Sequence, residues 1–162
     1  TALLANKIKV TGTASVAREL AGIESWLSSN TNLGAGAGVA GSGGTVARIA
    51  GTDRAFDEAF LKSVLASCWD NGGNPDTIMV GSTIKQAMSG IVGSLAMVPN
   101  RFQVQKSMLV LEMDMFCMAS LTEFEETPLA KVGDSDKVML VSEYTLESKN
   151  ELASGIVADL TS

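Results

Sequence analysis

Asn71-Gly72-Gly73-Asn74-Pro75-Asp76-Thr77-Ile78-Met79-Val80-Gly81-Ser82 ends one helix, runs as a short strand and begins another helix. Glycine supplies the left-handed exit from a helix, and Pro75 cannot continue one. Thr77 to Val80 is apolar without alternation, the pattern of a strand buried on both faces. Gly81-Ser82 then starts a short helix through about Met88, with Ser82 as its N-cap. Upstream, Phe56, Phe60, Leu61, Val64, Leu65 and Cys68 share one face of a helix spanning Asp53 to Asp70, capped by Thr52. Helix, strand, helix in this order implies an α/β layer.

Further toward the N-terminus, Val16, Leu20, Ile23 and Leu27 recur at helical spacing and predict a helix over Ser15 to Ser29. Gly34 to Gly51 holds seven glycines in eighteen residues and reads as a mobile surface loop, because it has little to bury against its backbone entropy. Toward the C-terminus, Leu95 to Val98, Val104 to Leu111, Met115 to Leu121 and Val138 to Leu146 read as strands. Helices early and strands late favour an α+β fold over repeated βαβ units.

The 162 residues suit one domain with a substantial core, and no internal repeat is present. Twelve basic against eighteen acidic residues, net −6, give a field that repels phosphate backbones and argue against general nucleic-acid binding. The chain contains no histidine, which excludes Ser-His-Asp and Cys-His catalysis and His-ligated zinc. Cys68 and Cys117 stand among apolar neighbours and are expected as reduced, buried thiols. No apolar run is long enough to cross a bilayer and the start lacks the basic residues of a signal peptide, so a soluble, intracellular protein is expected.

Four motifs suggest chemistry, and each has a plainer explanation. Gly36-Ala37-Gly38-Val39-Ala40-Gly41 fits GxGxxG, but neither a hydrophobic strand before it nor a helix after it is present. Ser82-Thr83-Ile84-Lys85 fits the SxxK of Ser-Lys hydrolases without the SDN or KTG partners. Glu123, Glu125 and Glu126 are the residue types of a cation site or a glycosidase pair, and equally of a solvated strand edge. Met108, Met113, Met115 and Met118 suit core filling or an adaptable surface.

A set of short blocks carries more. Ala2-Leu3-Leu4-Ala5-Asn6, Ala17-Arg18-Glu19-Leu20-Ala21-Gly22-Ile23-Glu24-Ser25-Trp26-Leu27, Gly73-Asn74-Pro75-Asp76-Thr77-Ile78-Met79-Val80-Gly81, Val98-Pro99-Asn100-Arg101-Phe102-Gln103 and Glu143-Tyr144-Thr145-Leu146-Glu147 occur in this order, closed by Gly155-Ile156-Val157-Ala158-Asp159-Leu160-Thr161. Taken together the set resembles one group of tailed-bacteriophage major capsid proteins, with the Hong Kong 97 capsid fold.

The resemblance implies an axial domain that meets neighbours around a capsomer centre and a peripheral domain with a long β-hairpin. On that reading residues 1–14 are the end of a spine helix and a connection, with Thr1 to Lys7 as its last turns. Residues 15–51 are a helix and the glycine-rich loop, 52–100 are mainly axial, and 101–162 are mainly peripheral strands with a C-terminal strand. Leu129 to Lys137 becomes the hairpin tip. The expected function is a non-enzymatic shell subunit without cofactors, forming pentamers and hexamers around phage DNA, with scaffold, portal and decoration proteins as further partners. Arg101, Glu125, Glu126, Lys131 and Asp134 are the expected polar contributors to subunit contacts, at interface rims. Relatives carry more chain before the first block and between Gly90 and Val98, so the sequence is expected to be part of a longer subunit. The alternatives are an encapsulin-like nanocompartment shell and a small hydrolase using Ser82 and Lys85.

Overall fold

The computed structural model describes residues 2–36, 38–89, 95–130 and 133–161. Its regular elements are β1 (Asn30–Asn32), α1 (Glu58–Asp70), β2 (Thr77–Val80), α2 (Ser82–Ala87), β3 (Ala96–Pro99), β4 (Ser107–Leu111), β5 (Phe116–Pro128), β6 (Val138–Ser148) and β7 (Gly155–Ala158). Five strands form one sheet in the order β1-β7-β4-β2-β3, and β5 with β6 forms a separate two-stranded ribbon. The β1/β7 and β2/β3 pairs are parallel, and β7/β4 and β4/β2 are antiparallel. The fold is α+β.

Alternation along the central strands divides the core in two. Ile78, Val80, Met108, Val110 and Val157 face Leu61, Val64 and Cys68 of α1 and Ile84 and Met88 around α2. Leu109, Leu111, Ile156 and Ala158 point the other way, against Ile23 and Leu27. β4 and β7 are therefore buried on both faces, whereas β2 buries Ile78 and Val80 fully and Thr77 and Met79 only in part. Both β4 and β7 come from the 101–162 span and complete the sheet that β2 and β3 begin. Gly155 permits the closest approach of α1, since a Cβ there would lie 2.4 Å from Cγ1 of Val64.

Several local expectations give way to tertiary pairing. The helix expected over Ser15 to Ser29 is a single 3-10 turn at Ile23–Ser25. Val10 and Glu19 exchange backbone hydrogen bonds of 3.1 and 3.2 Å, the Ser25 hydroxyl donates to the Lys7 carbonyl, and Val16 is 50% exposed. Residues 2–7, expected as helix, make one 3-10 turn at Ala2–Leu4 and then extend, because the Lys7 carbonyl also accepts from the Gly22 N–H. α1 starts at Glu58, not Asp53, and its N-cap is Asp57, whose side chain accepts from the Ala59 N–H. Thr52 is not the cap, since Arg54 bonds through its N–H to the Asp159 carbonyl and through its carbonyl to the Thr161 N–H. At α2 the cap position falls on Gly81, with Ser82 inside the helix. The strand expected from Val104 begins only at Ser107, after turns.

The glycine-rich stretch is packed, not loose. Val39 pairs with Ile49 and Ser42 with Val46, and the Gly44 N–H donates to the Ser25 carbonyl at 2.9 Å. A Cβ at Gly41 would lie 2.6 Å from the Glu24 carbonyl oxygen and from Ser25 Cα, so the missing side chain is what lets the two backbones touch. Arg48, more than nine-tenths buried, then anchors the stretch. Its Nε is 3.3 Å from Glu24 Oε2 and its Nη1 is 2.8 Å from Asp159 Oδ1. Ser107 donates to Glu24 at 2.5 Å and accepts from Gln103, while Asn6 bonds the Arg48 backbone through both of its side-chain atoms. Five segments separated in sequence, at Asn6, Glu24, Arg48, Gln103 to Ser107 and Asp159, meet in this network.

Candidate functional site

The ribbon is the part of the chain with least to hold it against the rest. Thirteen residues of β5 pair with eleven of β6, giving a hairpin roughly 40 Å long at ~3.3 Å per residue. Its base is fixed by Phe116, packed on the second core cluster, and by the Lys149 N–H on the Met115 carbonyl at 2.8 Å. Near the far end, the Leu129 N–H meets the Lys137 carbonyl at 2.9 Å.

Register assigns the two faces. Met118 opposite Leu146, Ser120 opposite Tyr144, Glu126 opposite Leu140 and Pro128 opposite Val138 share one face. Ala119 with Thr145, Thr122 with Glu143, Glu125 with Val141 and Thr127 with Met139 share the other. Register shifts fall between Ser120 and Thr122 and between Thr122 and Glu125, each with one residue more on β5 than on β6. Such bulges bend a strand and re-aim its side chains. Leu121 and Phe124 lie at these shifts, 76% and 74% exposed, the most exposed large apolar side chains among the described residues. Leu140, Tyr144 and Met118 are exposed as well. An apolar surface this large on an isolated hairpin marks a place where something else packs.

At the ribbon base a cleft of about 630 Å³ opens between Val10, Arg18 and Leu20 on one side and Ala119, Leu121 and Tyr144 on the other. Arg18 spans it to Glu143 at 3.6 Å, an exposed pair worth at most about 1 kcal/mol.

Glu125 and Glu126 lie on opposite faces of β5, both exposed, and Asp134 stands in the turn at the ribbon tip. Lys131 lies outside the described residues. Arg101 is exposed in the turn after β3, where the Asn100 side chain accepts from the Phe102 N–H, so it belongs to the five-stranded sheet and not to the ribbon. The ribbon thus brings together three of the five residues expected in contacts. Leu121 and Phe124 were not among them, because a bulge cannot be read from alternation, although Leu121-Thr122-Glu123-Phe124 breaks period two.

The other motifs resolve individually. Glu123 is exposed beside Glu125 and Glu126, and among the described residues no three His, Cys, Asp or Glu side chains converge as a metal site. Ser82 and Lys85 are both exposed on α2, and the GxGxxG match lies in the packed stretch, with Ala37 outside the described residues. Met108 is buried in the core, whereas Met113 and Met118 are exposed.

Cys68 is buried as expected, and burial pushes its thiol up to about 11. Cys117 is not buried: it sits half-exposed on β5, where the alternation of the strand turns it out of the core. Its Sγ donates to Glu147 Oε2 at 3.0 Å, and that hydrogen bond to the carboxylate raises the thiol's pKa. A maleimide is therefore expected to label one thiol per native chain, Cys117, and both after unfolding. Glu147→Gln is expected to speed the native reaction, and equal labelling of both native thiols would contradict this assignment.

Among the described residues no helix is long and apolar enough to cross a membrane. The family described as SU10 major capsid protein matches the chain over residues 1–97 and over 91–161. No curated protein matches by sequence. Among solved structures, a chain of the satellite phage P4 procapsid including size determination (Sid) protein aligns with TM-score 0.49 and 12% identity, over 64% of this chain and 39% of that one. A chain of the virus-like particle from Pyrococcus furiosus aligns with TM-score 0.39 and 10% identity, over 65% of this chain and 54% of that one. The alignments thus span well under two thirds of either structure's chain.

Proposed function

The chain belongs to the SU10 major capsid protein family, and from that membership we propose that it is a structural subunit of an icosahedral phage shell, assembling into pentamers and hexamers around DNA. The family match over nearly the whole chain carries this reading. In Hong Kong 97 terms, the five-stranded sheet with α1 and α2 is the axial domain and the ribbon is the peripheral hairpin. Glu125, Glu126, Lys131 and Asp134 then flank the ribbon's contacts, and Arg101 serves contacts of the axial domain. Scaffold, portal and decoration proteins are its further partners, the shell is built in the host cytoplasm, and no chemical step is required of it.

Assembly free energy in such a shell comes from many modest interfaces repeated by symmetry, each with an apolar centre and a polar rim. The bulge residues Leu121 and Phe124 supply apolar surface, and the adjacent carboxylates supply the rim. Electron microscopy with sedimentation, on the subunit with whatever chain flanks it in its gene, tests the reading. Closed shells of five- and six-membered rings are expected, and a persistent monomer at high concentration would refute it. Leu121→Ser with Phe124→Ser is expected to change the stability of the unassembled chain by no more than about 0.5 kcal/mol, since both side chains are already in water. The same pair of substitutions is expected to reduce shell yield severely, and unchanged yield would remove the ribbon from the interface.

A further inference from the structure

Arg48 holds the glycine-rich stretch to two separate parts of the core: Glu24 within the 3-10 turn and Asp159 beyond β7. Glu24, Arg48 and Asp159 are each more than nine-tenths buried, and two carboxylates share one guanidinium. Asp159 sits at φ 59°, a left-handed conformation that aspartate tolerates, and its other oxygen accepts from the Gly34 N–H at 2.9 Å. The apolar anchorage of the stretch is slight, with Val39, Val46 and Ile49 all about half exposed. Its attachment is therefore mainly polar: beside the Arg48 ion pairs, the Asn6 side chain holds the Arg48 backbone and Gly44 bonds Ser25 and Lys9, whereas β4 and β7 are held by apolar packing on both faces.

We propose that residues 38–51 form an acid-released clasp: protonation of Asp159 detaches this stretch while the five-stranded sheet stays intact. The reading stands independently of shell assembly. The cations around Asp159 favour its charged form, so protonation forfeits their attraction; Glu24, the other acid of the network, shares Arg48 with it. Arg48 contacts it directly, and Arg54 from the segment before α1 faces it while its guanidinium bonds the Asn32 and Ala158 carbonyls. From β4 come the neutral Ser107 and, through the turn before it, Gln103; Lys106 is paired outward with Asp53. From the N-terminal segment, Lys7 pairs with Glu19 and Lys9 offers its backbone to Gly44.

The sign follows from linkage. Burial alone would raise the Asp159 carboxyl, but hydrogen bonds from Gly34, Arg48 and Gly51, with the Arg48 charge, hold it below the usual aspartate range. Its contribution is complete above the unfolded value of about 4 and is lost as pH falls through the lower folded value. Acid is therefore the direction of release.

Trp26 reports the clasp, because its ring lies against Gly44, where an added Cβ would come within 3.1 Å of Cε2. Trp69 is the other tryptophan and is exposed, so the experiment uses a Trp69→Phe background. On titration from pH 7 downward, the Trp26 fluorescence change is expected before the loss of far-ultraviolet circular dichroism. In Asp159→Asn, amide exchange over residues 38–51 at pH 7 is expected to rise roughly a hundredfold, with β4 and β7 protection unchanged. Coincident fluorescence and dichroism transitions would overturn the proposal, as would exchange in Asp159→Asn within about twofold of the parent. Should that variant fail to fold, exchange of the parent chain followed from pH 7 down to pH 2, corrected for intrinsic rates, decides the matter by the same criterion.

Discussion

Arg48→Met is expected to destabilise the chain by about 3–5 kcal/mol, because it leaves Glu24 and Asp159 buried with no opposite charge between them. The loss comes from stranding two desolvated carboxylates, not from the net worth of the ion pairs. Urea denaturation with a constant m-value measures it. The same logic predicts a rescue: Arg48→Met combined with Glu24→Gln and Asp159→Asn should recover most of the loss, since no uncompensated charge then remains. The exposed Glu58–Lys62 pair on α1 offers a control of the same chemistry in water. Removing it should cost about 0.3–0.5 kcal/mol. Equal effects at the two sites would mean that Arg48 is solvated in solution.

Leu109→Ala is expected to cost about 2–5 kcal/mol, since Leu109 is fully buried in the middle of β4 against Ile23, Leu27 and Ile156. Neighbours on both sides of β4 are themselves held in strands, which limits collapse into the cavity. Thermal melting should register a drop of about 2–4 °C per kcal/mol. Leu140→Ala on the ribbon removes the same atoms from a side chain 57% exposed, and its cost to the unassembled chain should stay under about 0.5 kcal/mol. A large loss at Leu140 and a small one at Leu109 would reverse the assignment of core and contact surface.

Much of the fold was legible where local chemistry and tertiary packing agree. Asn71 to Pro75 stops α1 because glycine and proline act through their own backbones, whatever surrounds them. Thr77 to Val80 is apolar enough to become a strand in any compact context, and Ser82 to Ala87 follows it as a helix. The absence of histidine and the ordered sequence blocks likewise narrowed the function without coordinates, and the family match agrees with them.

Tertiary structure alone decided the rest, because the deciding partners lie far away in the chain. Val16, Leu20, Ile23 and Leu27 have helical spacing, yet Val10, Lys7 and Gly44 claim the backbone bonds that a helix would need. The glycines from 34 to 51 signal entropy when read singly, but their missing side chains allow backbone contact with Glu24, Ser25 and Thr52. Arg48 looks like a surface cation until Glu24, 24 residues before it, and Asp159, 111 residues after it, are brought together. The order of blocks and the backbone character of glycine and proline were determined by sequence. The network at Arg48 and the outward turn of Leu121 and Phe124 required the fold, since desolvation and register exist only once strands have chosen their partners.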